Sequence, residues 1–335
     1  MRAAYYAIEN GHVRCNLCPH HCLIKDGQTG LCRVRRNVNG TLQLETYGRL
    51  SAIHLDPIEK KPLYHFYPGS RILSVGSVGC NMNCKFCQNC DISQVGVSKN
   101  VSLEEYSVDQ LVYMAHSMKN NIGIAFTYNE PTIFYEYMID VSQAAHLLGM
   151  KTAMITNGYI EAEPLKNLLP FIDAFNVDLK AFTDSFYRKH GNARLEPVKE
   201  TLRVLRNEKK HFEVTNLIIP DSNDSVEQFT EMVEWIHNEL GKQTILHLSK
   251  YFPRYEFTKP ATSDSALERF FEIAKKKLDY VYLGNVSAQT PGHHTECPKC
   301  GTMVVQRNNH VIDVTGLDQS GACLKCSYPT EIFMK

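Results

Sequence analysis

The chain has 335 residues, 43% hydrophobic and 10% aromatic, enough for one large core with small additions and too apolar for a disordered chain. Thirty-six basic residues balance thirty-six acidic ones, so no bulk field draws the protein to nucleic acid or a membrane surface. No run approaches the roughly 18 apolar residues of a membrane span, and MRAAYYAIENGHVRC lacks a signal-peptide core, so the chain reads as cytoplasmic.

Residues 1–70 hold many turn signals, such as DGQTG at 26–30 and NVNG at 37–40, and read as a small metal-stapled module with a wrapping segment. Twelve cysteines occur in the chain, and disulfides do not persist in a reducing compartment, so thiolate metal sites lead. They fall in three groups of four instead of scattering as buried apolar residues would. The first is Cys15, Cys18, Cys22 and Cys32, with His20 and His21 as alternative donors. Zinc as a staple is the first reading of this group, and a second iron–sulfur cluster relaying electrons is the alternative. The basic, aromatic stretch Lys60–Tyr67 could stack on RNA. Packing against a barrel wall is preferred, because the balanced charge offers RNA no supporting field.

From residue 71 to about 290 short apolar runs alternate with amphipathic stretches. The runs are 71–78, 123–128, 151–156, 174–179, 212–219, 245–249 and 280–284. Helices are expected near 104–118, 132–148, 197–208, 225–239 and 264–278. This alternation predicts parallel βαβ units. Six or seven strands suit a partial (β/α) barrel of the (β/α)6 type, with its chemistry at the C-terminal strand ends. A doubly wound sheet is the alternative, weakened by the missing Gly-x-Gly-x-x-Gly fingerprint.

The second cysteine group lies in the loop after the first run, Gly79-Cys80-Asn81-Met82-Asn83-Cys84-Lys85-Phe86-Cys87-Gln88. Three thiolates at this spacing can wrap three corners of a cubane and leave the fourth iron open. An open coordination position marks a catalytic metal centre. Later strand ends carry Tyr128-Asn129-Glu130-Pro131, Thr156-Asn157-Gly158, Asp178-Leu179-Lys180 and Lys250-Tyr251-Phe252-Pro253. A carboxylate and an ammonium at one strand end suit a zwitterionic ligand. His247 could face such a site, although a packed strand histidine is preferred, and His211 and His190 have no stronger claim. Residues 291–335 form the last unit, where Cys297, Cys300, Cys323 and Cys326 make two CxxC knuckles of zinc-ribbon or rubredoxin-like spacing. Zinc is the first choice and a lone iron the second, with Lys299 and Lys325 softening the charge of the four thiolates.

The CxxxCxΦC pattern at Cys80, Cys84, Phe86 and Cys87 resembles the radical S-adenosylmethionine (SAM) superfamily. The resemblance implies a [4Fe–4S] cluster on Cys80, Cys84 and Cys87 that reductively cleaves SAM to a hydrogen-abstracting 5′-deoxyadenosyl radical. It implies further that Phe86, Cys87, Gln88, Asn129, Glu130, Asn157, Asp178, Leu179 and Lys180 contact SAM. Cys90 falls outside the family spacing and is expected to be a free thiol. Asn129 stands where the family has glycine, so only its backbone role carries over. Phe252 stands where related sequences have histidine, so that contact does not.

Taken in order, CNLCPHHC, GLCRVR, PIEKKPLYHFYPG, VGCNMNCKFCQN, FTYNEPT, FNVDLKAF, YLGNV and CPKCG resemble the AmmeMemoRadiSam-system radical enzymes, relatives of pyruvate formate-lyase activating enzymes. This implies an oxidoreductase served by a donor such as flavodoxin or ferredoxin, with Memo-like and AMMECR-like proteins as partners. Three functions stay open. One is a radical enzyme acting on a small molecule or partner protein within that system. Another is an activase making a glycyl radical on a larger enzyme. The third is an electron-transfer or metal-storage protein without catalysis.

Overall fold

The computed structural model describes residues 1–97, 101–287, 290, 292–308 and 311–334. Each of the seven apolar runs forms a strand. After an edge strand β1 (Ala52–Pro57) come β2 (Arg71–Gly76), β3 (Asn121–Phe126), β4 (Lys151–Thr156), β5 (Ala174–Asp178), β6 (His211–Ile218), β7 (Ile245–Lys250) and β8 (Tyr280–Gly284). They make one sheet in strictly sequential order, with β2 to β8 parallel and β1 antiparallel to β2. A doubly wound sheet would reverse direction at a switch point. Sequential winding curls the sheet toward a barrel instead, and among the described residues β1 and β8 are its edges, each paired on one side. The barrel is therefore partial, with seven parallel strands rather than six.

Helix α1 (Val108–Ser117) starts later than expected. The Ser107 side chain accepts from Gln110 N–H while Gln110 caps the Ser107 backbone, and residues 104–105 pair with Arg49–Leu50 instead. Three α-helices were not anticipated, the single turn Cys90–Ser93, Ala162–Leu168 and Asp184–Gly191, which are too short for a clear period. The edge strand β1 also went unread, its AIHLDP folded into the wrapping segment. No described helix is long and apolar enough to cross a membrane.

The amino-terminal residues form a three-stranded antiparallel sheet (Tyr6–Glu9, His12–Cys15, Leu23–Ile24) and a hairpin (Arg35–Val38 with Thr41–Leu44). The NVNG turn closes that hairpin with Asn39 and Gly40 both at positive φ, 51° and 77°, the pairing a two-residue turn between right-twisted strands requires. This module is fixed to helix α2 (Tyr135–Leu147) by one buried ion pair. Arg35, 1% exposed, places Nη2 2.6 Å from Glu136 Oε1 and Nη1 3.0 Å from Oε2. Ala4 N–H donates to the same carboxylate at 2.7 Å.

The wrapping segment fills the barrel floor. Ile58, Leu63 and Phe66 pack on Ala125, Ala153 and Ala174, whose small side chains leave the room. Backbone N–H groups of Tyr64 and His65 donate to the buried Glu213 carboxylate at 2.9 and 2.8 Å, and His247 Nε2 lies 2.6 Å from it. Burial alone would raise that carboxyl, but hydrogen bonds from His211 and His247 hold it well below the usual range. Lys61, Leu63, His65 and Phe66 are all buried, so most of this stretch packs in the barrel as preferred, while Lys60 stays exposed. The carboxy-terminal ribbon (Thr295–Glu296, Met303–Asn308, Val311–Asp313) closes beneath it. Arg307 Nη2 donates to Tyr64 O at 2.7 Å, and Phe333 N–H to His65 O at 2.8 Å.

Two outcomes follow from these anchors. Removing one partner of a buried ion pair costs roughly 3–5 kcal/mol, so Arg35→Ala should lower the anaerobic urea midpoint well below wild type, while surface Arg49→Ala should not. Burial pushes the His65 imidazole down from 6.5 to about 3. The folded state keeps His65 neutral while the unfolded chain protonates near 6.5, so this contribution is complete above that pH and is lost as pH falls toward 3. His65→Phe should therefore lie closer to wild type in urea midpoint at pH 5.5 than at pH 7.5.

Candidate functional site

The loop after β2 begins with Gly79 at φ +86°, pressed against the Cys32 backbone, where a Cβ would meet that carbonyl oxygen at 2.4 Å. Only glycine fits this contact. Asn83 and Lys85 N–H donate to the carbonyls of Gly191 and His190, each at 2.9 Å, so the end of helix Asp184–Gly191 holds the loop's middle. Cys80, Cys84 and Cys87 thereby line one cavity of about 1400 Å³ at the C-terminal strand ends. Cys80 Sγ accepts from Met82 N–H at 3.3 Å and from Asn157 Nδ2 at 3.7 Å, and Cys87 Sγ lies 3.0 Å from Ser93 Oγ. Burial pushes the Cys80 thiol well above its ordinary range and Cys84 up to about 11, the latter against the pull of Lys180. Thiols so buried ionise when a cation shares the site, and three sulfurs around an open cavity with N–H donors at one of them fit a three-cornered iron–sulfur cluster.

Glu130 organises the neighbouring strand ends. Its carboxylate accepts from Thr132 N–H (2.9 Å), Thr156 Oγ1–H (2.7 Å) and Asn157 N–H (2.8 Å). Burial raises its pKa, and these donors pull the other way. Asn157 Nδ2 donates to Asn81 Oδ1 at 2.9 Å, so Glu130 orients Asn157, which supports both Asn81 and Cys80. The Asn129 side chain does more than the glycine comparison allowed. It accepts from Ser77 N–H at 3.1 Å and donates to Gly79 O at 3.0 Å, bracing the end of β2.

Asp178 and Lys180 both reach the cavity, 2.8 Å apart. Burial opposes the Lys180 charge, but Asp178 and Cys84 raise its pKa above the usual value. Leu179 points the other way. Its side chain is fully buried and absent from the cavity wall, on the face opposite Asp178 and Lys180. Phe86 lines the cavity with its ring 5.7 Å from those of Phe186 and Phe257. Gln88 also lines it and donates to Phe252 O at 2.9 Å, while the Phe252 side chain is exposed. His247 touches the cavity but is held by Glu213. Cys90 is buried off the wall, its sulfur 3.7 Å from Asp91 Oδ1.

The sequence reading missed the opposite wall. Lys61 Nζ lies 2.8 Å from Asp56 Oδ2 and 4.5 Å from the Tyr128 ring centre, and Tyr128 Oη–H donates to Asp56 at 2.7 Å. Lys61 sat in the basic stretch weighed for RNA, and Asp56 belongs to the unread strand β1, so neither carried a readable signal.

The ribbon cysteines converge tightly, with Cys297 and Cys326 sulfurs 3.6 Å apart and those of Cys300 and Cys323 3.7 Å apart. A tetrahedron of bonds of about 2.3 Å has edges near 3.8 Å, so one tetrahedral ion fits. The amino-terminal four line a separate small cavity with His20. His20 Nε2 is 2.7 Å from Asn81 O, and both ring nitrogens of His21 face side chains, Asn16 and Glu161. His21 does not line that cavity. Gly79→Ala should unseat the module from the loop, costing at least about 2 kcal/mol; limited proteolysis should cut residues 1–50 faster, and an unchanged cleavage pattern would refute the contact.

A family model described as the Radical SAM superfamily matches residues 74–236. An uncharacterized protein of Methanocaldococcus jannaschii is 41% identical over 336 residues, covering 98% of each chain. The pyruvate formate-lyase-activating enzyme of Clostridium pasteurianum is 24% identical over 171 residues, 51% of this chain and 71% of that one. Among solved structures, a radical SAM methyltransferase from Sphaerobacter thermophilus superposes with a TM-score of 0.52 at 18% identity, covering 68% of this chain and 71% of that one, a likeness of fold.

Proposed function

The chain belongs to the radical SAM superfamily, a family that implies a [4Fe–4S] cluster and SAM, and from that premise we propose an oxidoreductase whose cluster is held by Cys80, Cys84 and Cys87. The observation that carries this reading is the convergence of those three sulfurs, Glu130 with Asn157, and Asp178 with Lys180 on one cavity. When bound, the cluster would supply one electron to the sulfonium of SAM, breaking its C5′–S bond to leave methionine and a 5′-deoxyadenosyl radical able to take hydrogen from a second substrate.

The protein's part is to hold and orient. Asn157 and the Met82 N–H support the Cys80 sulfur, and Glu130 fixes Asn157. Asp178 and Lys180 present opposite charges to a zwitterionic, ribose-bearing ligand, and Phe86 offers an aromatic face to its base. Gln88 and Asn129 complete the turn around it. At about 1400 Å³ the cavity exceeds the roughly 300–1,000 Å³ of single-ligand sites, which suits a cluster, SAM and a second molecule together. Asp56, Lys61 and Tyr128 wall the second half. The ribbon takes a structural zinc, or a lone iron, at Cys297, Cys300, Cys323 and Cys326. A flavodoxin- or ferredoxin-type donor, and the Memo-like and AMMECR-like proteins implied by the motifs, are the partners of this reading.

The likeness to pyruvate formate-lyase-activating enzymes favours a second reading, in which the hydrogen donor is a glycine of a partner enzyme. Anaerobic reconstitution with iron and sulfide, dithionite reduction and a 5′-deoxyadenosine assay test the common core. Wild type should release 5′-deoxyadenosine, Cys84→Ala should lose it at least a thousandfold, and Cys90→Ala should stay within twofold. A fully loaded, reducible cluster whose spectrum SAM leaves unchanged would favour the electron-transfer reading instead.

A further inference from the structure

The amino-terminal cysteines are too many and too well placed to be packing residues. Cys15, Cys18, Cys22 and Cys32 line one cavity of about 20 Å³, room for a water-sized sphere. In a tetrathiolate ion site the centre lies about 2.3 Å from each sulfur, which leaves no such space. The ribbon provides the comparison within the same molecule. Among the described residues only its four cysteines bring three or more ligand atoms within 4.8 Å of one another. The amino-terminal sulfurs stand further apart around a void, as the sulfurs of Cys80, Cys84 and Cys87 do around theirs.

Two polar atoms on the cavity-lining residues point independently to a missing group. Arg35 Nε and Thr132 Oγ1 are buried, and among the described residues neither has a hydrogen-bond partner. Arg35 is 1% exposed, and its guanidinium lies in the field of Cys15 and Cys32. A zinc ion with four thiolates offers these donors nothing beyond the thiolates, whereas a cubane also presents inorganic sulfides as acceptors.

We propose that Cys15, Cys18, Cys22 and Cys32 hold a second, fully ligated [4Fe–4S] cluster, and that electrons reach the Cys80 loop through it. Cys32 O abuts Gly79, one residue from Cys80, and Asn81 links the two sides, its backbone carbonyl against His20 and its side-chain Oδ1 against Asn157. One electron enters from a reduced donor of the flavodoxin or ferredoxin class. The donor is oxidised by one electron, and the Cys80 site is reduced by one. The relay rests on the reading of Cys80, Cys84 and Cys87 above; the identity of the amino-terminal group does not.

Acid-labile sulfide separates the alternatives, because neither zinc nor a lone ribbon iron contains any. Reconstituted wild type should hold about eight sulfides per chain, four for each cubane. The triple variant Cys80→Ala/Cys84→Ala/Cys87→Ala should keep about half, with an electron paramagnetic resonance signal, once reduced, that SAM does not alter. A triple variant that retains zinc and no sulfide overturns the second cluster and leaves the radical chemistry standing. If that variant does not fold, the wild-type count decides, since about four sulfides with two zinc ions gives the same refutation. For the relay, Cys18→Ser/Cys22→Ser should lower the ratio of flavodoxin-driven to dithionite-driven 5′-deoxyadenosine formation at least tenfold. An unchanged ratio overturns the relay alone.

Discussion

Sulfur buried away from water governs this architecture. A thiolate taken into a low-dielectric interior is unstable without a cation, and burial pushes the thiols of Cys32, Cys80 and Cys84 upward. The fold places such sulfurs in three settings. At the ribbon four converge on a point, around Cys80 three ring the end of a barrel, and near the amino terminus four surround a void. Each setting dictates what can enter it, through distance alone at the first and through open space at the others.

The barrel supplies rigidity at the one place where geometry matters. Strands β2 to β5 end side by side, so residues far apart in sequence meet there without long loops. Glu130 does the joining. Its three accepted hydrogen bonds tie β3 to β4, and through Asn157 and Asn81 they reach the Cys80 loop from behind. A carboxylate in that position is stable because every bond to it comes from a fixed donor. The amino-terminal module then leans on the same loop from outside, through Cys32 and Gly79.

Much of this could be read from residues alone. Seven apolar runs became seven parallel strands because each, buried on both faces, is continuous and unambiguous. The cysteine spacings carried their chemistry because ligand geometry fixes spacing. What escaped was set by direction and context. Leu179 shares a tripeptide with Asp178 and Lys180, yet strand alternation turns it away from them. Asn129 looked like a mere replacement for glycine, but its side chain finds two backbone partners that only the folded loop supplies. Strand β1 is an antiparallel edge with a histidine and an aspartate in it, and no apolar run announces it. Lys61 sat in a basic stretch whose charge looks free until Asp56 and Tyr128 are brought beside it.

The floor of the barrel has a consequence for how the chain reaches this state. Arg307 binds Tyr64 across a separation of 243 residues. Closing a flexible loop of that length costs about 5 kcal/mol of chain entropy if nothing between is ordered. Formed after the strands, the same contact spans only the width of the sheet, and the guanidinium 4.3 Å from the Tyr64 ring centre has little left to offset. The order of events is thereby biased, with strands first and the ribbon last. Such dependence on distant pairings belongs to slow-folding topologies, in which the barrel stays open from below until the final segment of the chain arrives.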